Sequence, residues 1–208
     1  MRKGLVLLLF LPFLLAGCTD RPQEKFVCIM PPDVELHPGD VVFRMGTGIA
    51  SRVIKKLDPS GRFSHSGIVV DSMGKKMIVH AVADEHDFEG DVDRVKMDTP
   101  EVFFSSMYAE CGEVCRPVDE LLARKTADVA MEVYRRRVLF DHDYDDTDTT
   151  RMYCTEMVLY CFDRAGGKLV GDERHDIQVG NFHTKCMFPS DVYRSEMLKS
   201  IYQFYPNY

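Results

Sequence analysis

The chain has 208 residues, 45% of them hydrophobic and 28% charged, with a formal net charge of −7. That length allows one domain with a sizeable core and no more than two. The acid excess excludes a nucleic-acid binder that relies on a sustained basic surface. The run Arg135-Arg136-Arg137 reads instead as the solvated last turn of a helix, where cations suit the dipole.

In chain order, Arg2 and Lys3 precede the apolar run Gly4 to Leu15. That run has the length of a signal-peptide core and is shorter than the ~20 residues of a spanning helix. It leads into Leu14-Leu15-Ala16-Gly17-Cys18, which looks like a bacterial lipobox. The resemblance implies a lipoprotein signal peptide over residues 1–17, cleavage before Cys18 and lipidation of Cys18. The polar stretch that follows carries four prolines between Thr19 and Asp40. Residues 18–36 therefore read as a tether, and residues 37–208 as one domain.

Within that domain, a Pro-Gly-Asp turn at Pro38 to Asp40 leads into a strand over Val41 to Met45. Gly46 to Leu57 is a short helix with Ile49, Val53, Ile54 and Leu57 on one side. Phe63 to Asp71 and Lys76 to Asp84 are β-branched strands joined by the turn-like Ser72-Met73-Gly74-Lys75, a hairpin pattern. The acidic stretch Glu85 to Asp98 holds a turn and a short strand, and Glu101 to Ala109 fits a helix or a strand equally. Asp119 to Arg137 has helical periodicity. After the acidic loop Phe140 to Thr150, Thr150 to Ala165 is a second helix, with Thr149 or Thr150 as N-cap and Gly166-Gly167 as its stop. A short helix starts after Pro189 or Ser190. Strands and helices do not alternate strictly, which gives an α+β fold with an antiparallel sheet.

Two histidines and one cysteine stand out. A turn centred between Met73 and Gly74 places Val70 opposite Met77 and Gly67 opposite His80. His65 and His80 then share one face as diagonal neighbours, about 7–8 Å apart at Cα. A one-residue slip would put them on opposite faces. Gly67 marks a close backbone approach beside them. On the second helix, Cys154, Val158, Cys161 and Ala165 form a buried stripe. Cys161 sits mid-stripe and reads as a core thiol. Cys154 sits near the helix start, where free N–H groups favour thiolate, and it points toward whatever packs there, including the His65/His80 face.

The remaining cysteines and acids are less specific. Cys111 and Cys115 can pair with each other, with Cys28 or with Cys186, and the sequence does not fix which. Cys111-x3-Cys115 lacks the second close Cys/His pair of a zinc site. Asp141, Asp143 and Asp145 fit an EF-hand start, but Asp146 replaces its glycine and Met152 its final glutamate, so that motif fails. A looser carboxylate site for a divalent cation stays open. The run reads first as a solvated loop.

The segments GDVVF, FSHSGIVV, IVHA, MYCTEMVLYCF and FPSD together resemble the circularly permuted, NlpC-like papain-fold hydrolases of the YiiX/YebB-like group. The resemblance covers most of the chain from Pro38 onward. It implies a small antiparallel sheet or partial barrel packed against helices, with the nucleophile at a helix N-terminus. It assigns Cys154 as nucleophile, His65 as general base and His80 as the third, orienting residue, where relatives often carry Glu. Tyr153 matches the aromatic residue before the cysteine, as an oxyanion donor, a pocket wall or simple packing. Glu156 matches the acidic residue two places after it, as site support. The implied function is a cell-envelope cysteine hydrolase that cleaves an amide, for instance of cell-wall peptides, through an acyl-enzyme. It would be membrane-anchored through its N-terminal lipid, with no metal, no cofactor and no nucleic-acid partner. Two alternatives stay open: a lipid acyl-ester hydrolase or acyltransferase with the same triad, and a binding lipoprotein without catalysis.

Overall fold

A computed structural model of the chain describes residues 27–58 and 61–205. The expected signal peptide, Cys18 and the first part of the tether lie outside the described residues. The elements run β1 Val41–Met45, α1 Ile49–Leu57, β2 His65–Ser72, β3 Lys75–Val82, β4 Arg94–Asp98 and α2 Pro100–Phe103. They continue β5 Cys111–Pro117, α3 Glu120–Arg135, β6 Leu139–Phe140, β7 Arg151–Met152 and α4 Cys154–Ala165. The last are β8 His175–Val179, β9 Phe182–Cys186, α5 Pro189–Tyr193 and β10 Leu198–Phe204.

Eight strands form one sheet in the order β10-β5-β1-β2-β3-β4-β6-β7. Every pairing is antiparallel except β6 with β7. The class is the expected α+β, but the sheet is larger than the small one anticipated. The β2–β3 hairpin turns on Met73 at φ 52° and Gly74 at φ 75°. Two consecutive positive φ values make the mirror-type turn whose twist matches that of the strands. The register is Val70 opposite Met77, as the sequence predicts.

Alternation along the strands builds two cores. Val41, Phe43, Ile68, Val70, Val79 and Ala81 face one way, under α3 and α4. Val42, Val69 and Ile78 face the other way, under Phe103 and Phe104. Leu36 seals this second core, and Ile29 donates its N–H to Phe104 O at 2.9 Å. The tether expected to run to residue 36 therefore ends earlier. Residues 28–36 are docked, because Cys28, Ile29, Met30 and Val34 find an apolar face to cover.

Three further expectations change. The N-cap of α4 is Tyr153, not Thr149 or Thr150. Arg151 and Met152 pair with Leu139 and Phe140 in the sheet and cannot be helical, and the Thr150 hydroxyl bonds Asp148 instead. All six described cysteines are free thiols. Cys111 and Cys115 lie four residues apart on one strand, about 13 Å at strand rise, beyond disulfide reach. Strands β5, β6, β8, β9 and β10 carry no expectation from the sequence, and Glu101–Ala109 opens in the short helix α2 and continues from Phe104 as turns with a bridge at Ser105.

Candidate active site

Cys154 is the first residue of α4 and 7% exposed. Its N–H is thus one of the four that have no partner within the helix. The Glu156 carboxyl oxygen accepts the Tyr153 N–H at 3.2 Å, which fixes the turn that carries the thiol. Burial, with Asp141, Asp146 and Asp148 nearby, pushes the Glu156 carboxyl up to about 8. At the other end, Gly166 closes the helix at φ 97°.

His65 and His80 follow from the hairpin register. His65 Nε2 and His80 Nδ1 are 2.8 Å apart. His80 Nε2 lies 3.0 Å from Asp98 Oδ2, and Lys96 Nζ lies 3.2 Å from Asp98 Oδ1. Lys96 is the direct cross-strand partner of His80, which sets Asp98 within reach. His80 is fully buried. The ring of Phe103 packs against both imidazoles, at 5.6 Å and 5.0 Å between centroids. Gly67 leaves the room this needs. A Cβ there would stand 2.8 Å from Ile78 Cγ2 and 3.1 Å from His80 Cβ.

This chain of bonds constrains the tautomers. Burial pushes the Asp98 carboxyl up, but His80 and Lys96 outweigh it and hold it below its ordinary value. A carboxylate only accepts, so His80 Nε2 carries a proton. With His80 neutral, its Nδ1 is then the acceptor and His65 Nε2 donates to it. His65 Nδ1 is left as a bare lone pair, the form a general base needs. Burial, then Arg44 and His80, hold His65 well below its ordinary pKa, so the ring is neutral near pH 7.

The thiol meets the histidines at an edge and not across a face. His65 and His80 share the sheet side of Val69 and Ile78, whereas α4 packs on the opposite side. The sequence expectation that the helix stripe faces the histidines is corrected here. The two sides meet where β2 begins. Ser66, the residue after His65, is near enough to favour the thiolate form of Cys154, whose Sγ lies 3.8 Å from Thr155 Oγ1. The thiol and His65 make no direct hydrogen bond in this resting geometry. Burial pushes the thiol up, against the opposing bonds from Thr155 and Ser66. The helix terminus alone therefore does not make a resting thiolate, and Cys154 and His65 face the cleft as a neutral pair.

That cleft has a volume of about 400 Å³, and Cys154, His65, Arg44, Glu85 and Tyr144 line it. Arg44 is the cross-strand neighbour of His65. Its guanidinium pairs with Glu85, donates to Phe103 O at 2.7 Å and lies 4.5 Å from the Phe103 ring centroid. Burial lowers its pKa and Glu85 supports its charge. Tyr153 does not reach the cleft lining. It is 2% exposed, and its hydroxyl accepts the Met187 N–H at 3.0 Å. Packing is the role this contact gives it, so the oxyanion and pocket-wall options lose their geometric basis.

Residues 35–202 match the family described as "Permuted papain-like amidase enzyme, YaeF/YiiX, C92 family". The chain belongs to this permuted papain-like amidase family. A crystal structure of yiiX from Escherichia coli O157:H7, described as a metalloprotein, is similar in fold. The two are 17% identical with a TM-score of 0.65, over 83% of this chain and 100% of that one. Comparison with curated proteins finds no match. Membership makes this chain a hydrolase of the amidase class, on an α+β fold of permuted papain type. As for the metal named in that neighbour, no group of three or more His, Cys, Asp or Glu among the described residues here is arranged to hold one.

Sequence reasoning missed Asp98, Lys96 and Arg44. The first two had a signal. In Arg94-Val95-Lys96-Met97-Asp98, charged and apolar residues alternate, so Lys96 and Asp98 share a face beside His80. Arg44 reads as a solvent residue until its strand is seen to be central.

Proposed function

We propose that this amidase is a cell-envelope lipoprotein that cleaves a peptide amide, with Cys154 as nucleophile, His65 as general base and His80 as its orienting partner. The observation that carries the reading is the bonded line His65–His80–Asp98 beside the cleft, which with a neutral His80 leaves His65 Nδ1 unprotonated. Substrate binding brings the thiol onto that lone pair; catalytic hydrogen bonds often tighten only in the complex. His65 Nδ1 takes the thiol proton as sulfur attacks the carbonyl carbon. The oxyanion forms at the start of α4, in reach of the Cys154 N–H. The imidazolium then protonates the departing amine, leaving a thioester. Water, deprotonated by His65, hydrolyses it and restores the thiol. Glu156 supports the site by fixing the helix turn. The lipobox-like Leu15-Ala16-Gly17-Cys18 supports anchoring through Cys18, and the envelope peptide is the amide such an enzyme would meet.

An acyl-ester substrate is the second reading, favoured by the apolar part of the cleft, Ile49, Ala50, Ile54, Val82 and Ala83. One experiment separates them. The full-length protein is incubated with envelope extract and the mass of the Cys154 adduct is read. A peptide adduct supports the amidase, and a fatty-acyl adduct supports the esterase. No adduct, with Cys154 alkylated no faster than Cys161 and no slower after His65→Ala, refutes both. For the anchor, Cys18→Ser should release the protein from membranes; unchanged partitioning refutes it.

A further inference from the structure

Helix α1 has an unusual surface for a soluble domain. It buries none of its residues fully. Ile54 and Leu57 lean on the first core, while Ile49 is 81% exposed and Val53 47% exposed. Ile49 and Val53 are one turn apart and form an outward apolar strip. Arg52 lies one turn from Ile49, and Lys56 one turn from Val53, so cations border the strip. With Lys55 the helix carries three cations and no acid, on a chain of net charge −7.

The strip stands at the mouth of the Cys154 cleft, whose lining includes Ile49 and Met107, itself 42% exposed. Thr47 Oγ1 donates to Met107 O at 2.5 Å and holds the two rims together. The chain also enters the described structure on this side. Val27 O accepts the Ser106 N–H at 2.8 Å, and Cys28 bridges Ser105. Residues 16–26, between the apolar run and this entry point, span at most ~40 Å. Whatever holds the N-terminal run thus lies within ~40 Å of the point where residue 27 joins this rim.

We infer that α1 is a membrane-docking helix: Ile49 and Val53 insert into an anionic lipid surface, with Arg52, Lys55 and Lys56 on its headgroups, so that the Cys154 cleft opens onto the bilayer. An exposed apolar strip edged by cations is the composition of interfacial helices, and each cation near an anionic surface adds attraction. The acidic remainder of the protein is repelled from the same surface, which orients the domain. The inference rests on the envelope anchoring proposed above, but not on the identity of the scissile bond.

The test is amide hydrogen exchange of the full-length protein in phosphatidylglycerol-rich vesicles and in purely phosphatidylcholine vesicles. The N-terminal segment holds the protein to both, so only docking of α1 differs. The expected result is roughly tenfold or more slower exchange across residues 49–57 on the anionic vesicles. Ile49→Asp with Val53→Asp, or Arg52→Gln with Lys55→Gln and Lys56→Gln, should abolish that slowing while β2 and β3 exchange as before. Equal exchange in both vesicles overturns the inference. So does protection that follows protein concentration instead of lipid charge, which would assign the strip to a second copy of the chain. Cys154 alkylation is read on the same samples. An activated thiol beside an unprotected α1 sinks the docking alone, and a protected α1 beside an inert thiol sinks the amidase reading alone.

Discussion

The sharpest test of the histidine relay is Asp98→Asn. In the native protein the two carboxylate oxygens are divided, one to His80 at 3.0 Å and one to Lys96 at 3.2 Å. Lysine only donates, so an asparagine must turn its carbonyl oxygen toward Lys96 and its NH2 group toward His80. His80 then has to accept at Nε2 and carry its proton on Nδ1. That proton faces His65 Nε2, which must become the acceptor, and the His65 proton moves to Nδ1. The base is now protonated at the atom the thiol needs. Losing one charge-assisted bond is worth roughly 1.5–3 kcal/mol, or 10- to 100-fold. A wrong tautomer in a comparable triad costs about 10⁴, so a loss of roughly 10²–10⁴ in acyl-enzyme formation is expected. Asp98→Ala, which leaves His80 free to choose its tautomer, should cost less. Lys96→Met added to Asp98→Asn frees the amide to turn and should recover part of the loss. The assay is the rate of acyl-adduct formation on Cys154, backed by iodoacetamide alkylation, with thermal unfolding to confirm a folded protein. Alanine costing as much as asparagine, or no recovery in the double variant, would refute the tautomer argument.

Four other outcomes follow from the same geometry. Because burial raises the Cys154 thiol above 9.0 and lowers His65 below 6.5, alkylation should keep rising with pH through the alkaline range; a plateau already reached near pH 5 would mean a resting ion pair. Gly67→Ala forces its methyl against Ile78 and His80, so a cost of about 1–3 kcal/mol and slower alkylation are expected together; denaturant melts and labelling rates check both. Tyr153→Phe strands the buried Met187 N–H and should cost about 1–2 kcal/mol with adduct formation unchanged; a fall in adduct rate without loss of stability would give the hydroxyl a chemical role after all. Glu156 has a folded-state pKa raised from 4.5 to about 8, so stability from its protonated form is present below pH 4.5 and lost as pH rises through 8. Glu156→Gln keeps the acceptor for Tyr153 and should gain about 1–3 kcal/mol at pH 9 and almost nothing at pH 4, by melting at the two pH values.

What the sequence made readable was local. The β2–β3 register followed from β-branched runs around Met73-Gly74, and with it the meeting of His65 and His80. The end of α4 followed from Gly166. Non-local pairing hid the rest. Strand β5 reads as polar because Glu113 sits in its middle, yet Arg62, Ser200 and Gln203 arrive from distant segments to satisfy that carboxylate. The start of α4 was misplaced because Thr149-Thr150 is a good local cap, and only Leu139-Phe140 pulls the next two residues into the sheet. The edge-on approach of Cys154 to His65 depends on which sheet face each element covers, and no periodicity within one segment reports that.

The relay is contained in three consecutive strands, residues 65–98, joined as a meander. The thiol arrives only with residue 154, on an element that must first dock on the far side of the same sheet. A chain emerging from its N-terminus can therefore fold the His65–His80–Asp98 line from neighbours close in sequence, which form contacts quickly. The helix start that carries Cys154 is still unmade at that stage. The order of segments works as a timer: Cys154 and His65 come to share a cleft only once nearly the whole domain is assembled, so a truncated chain carries the histidine pair without the thiol.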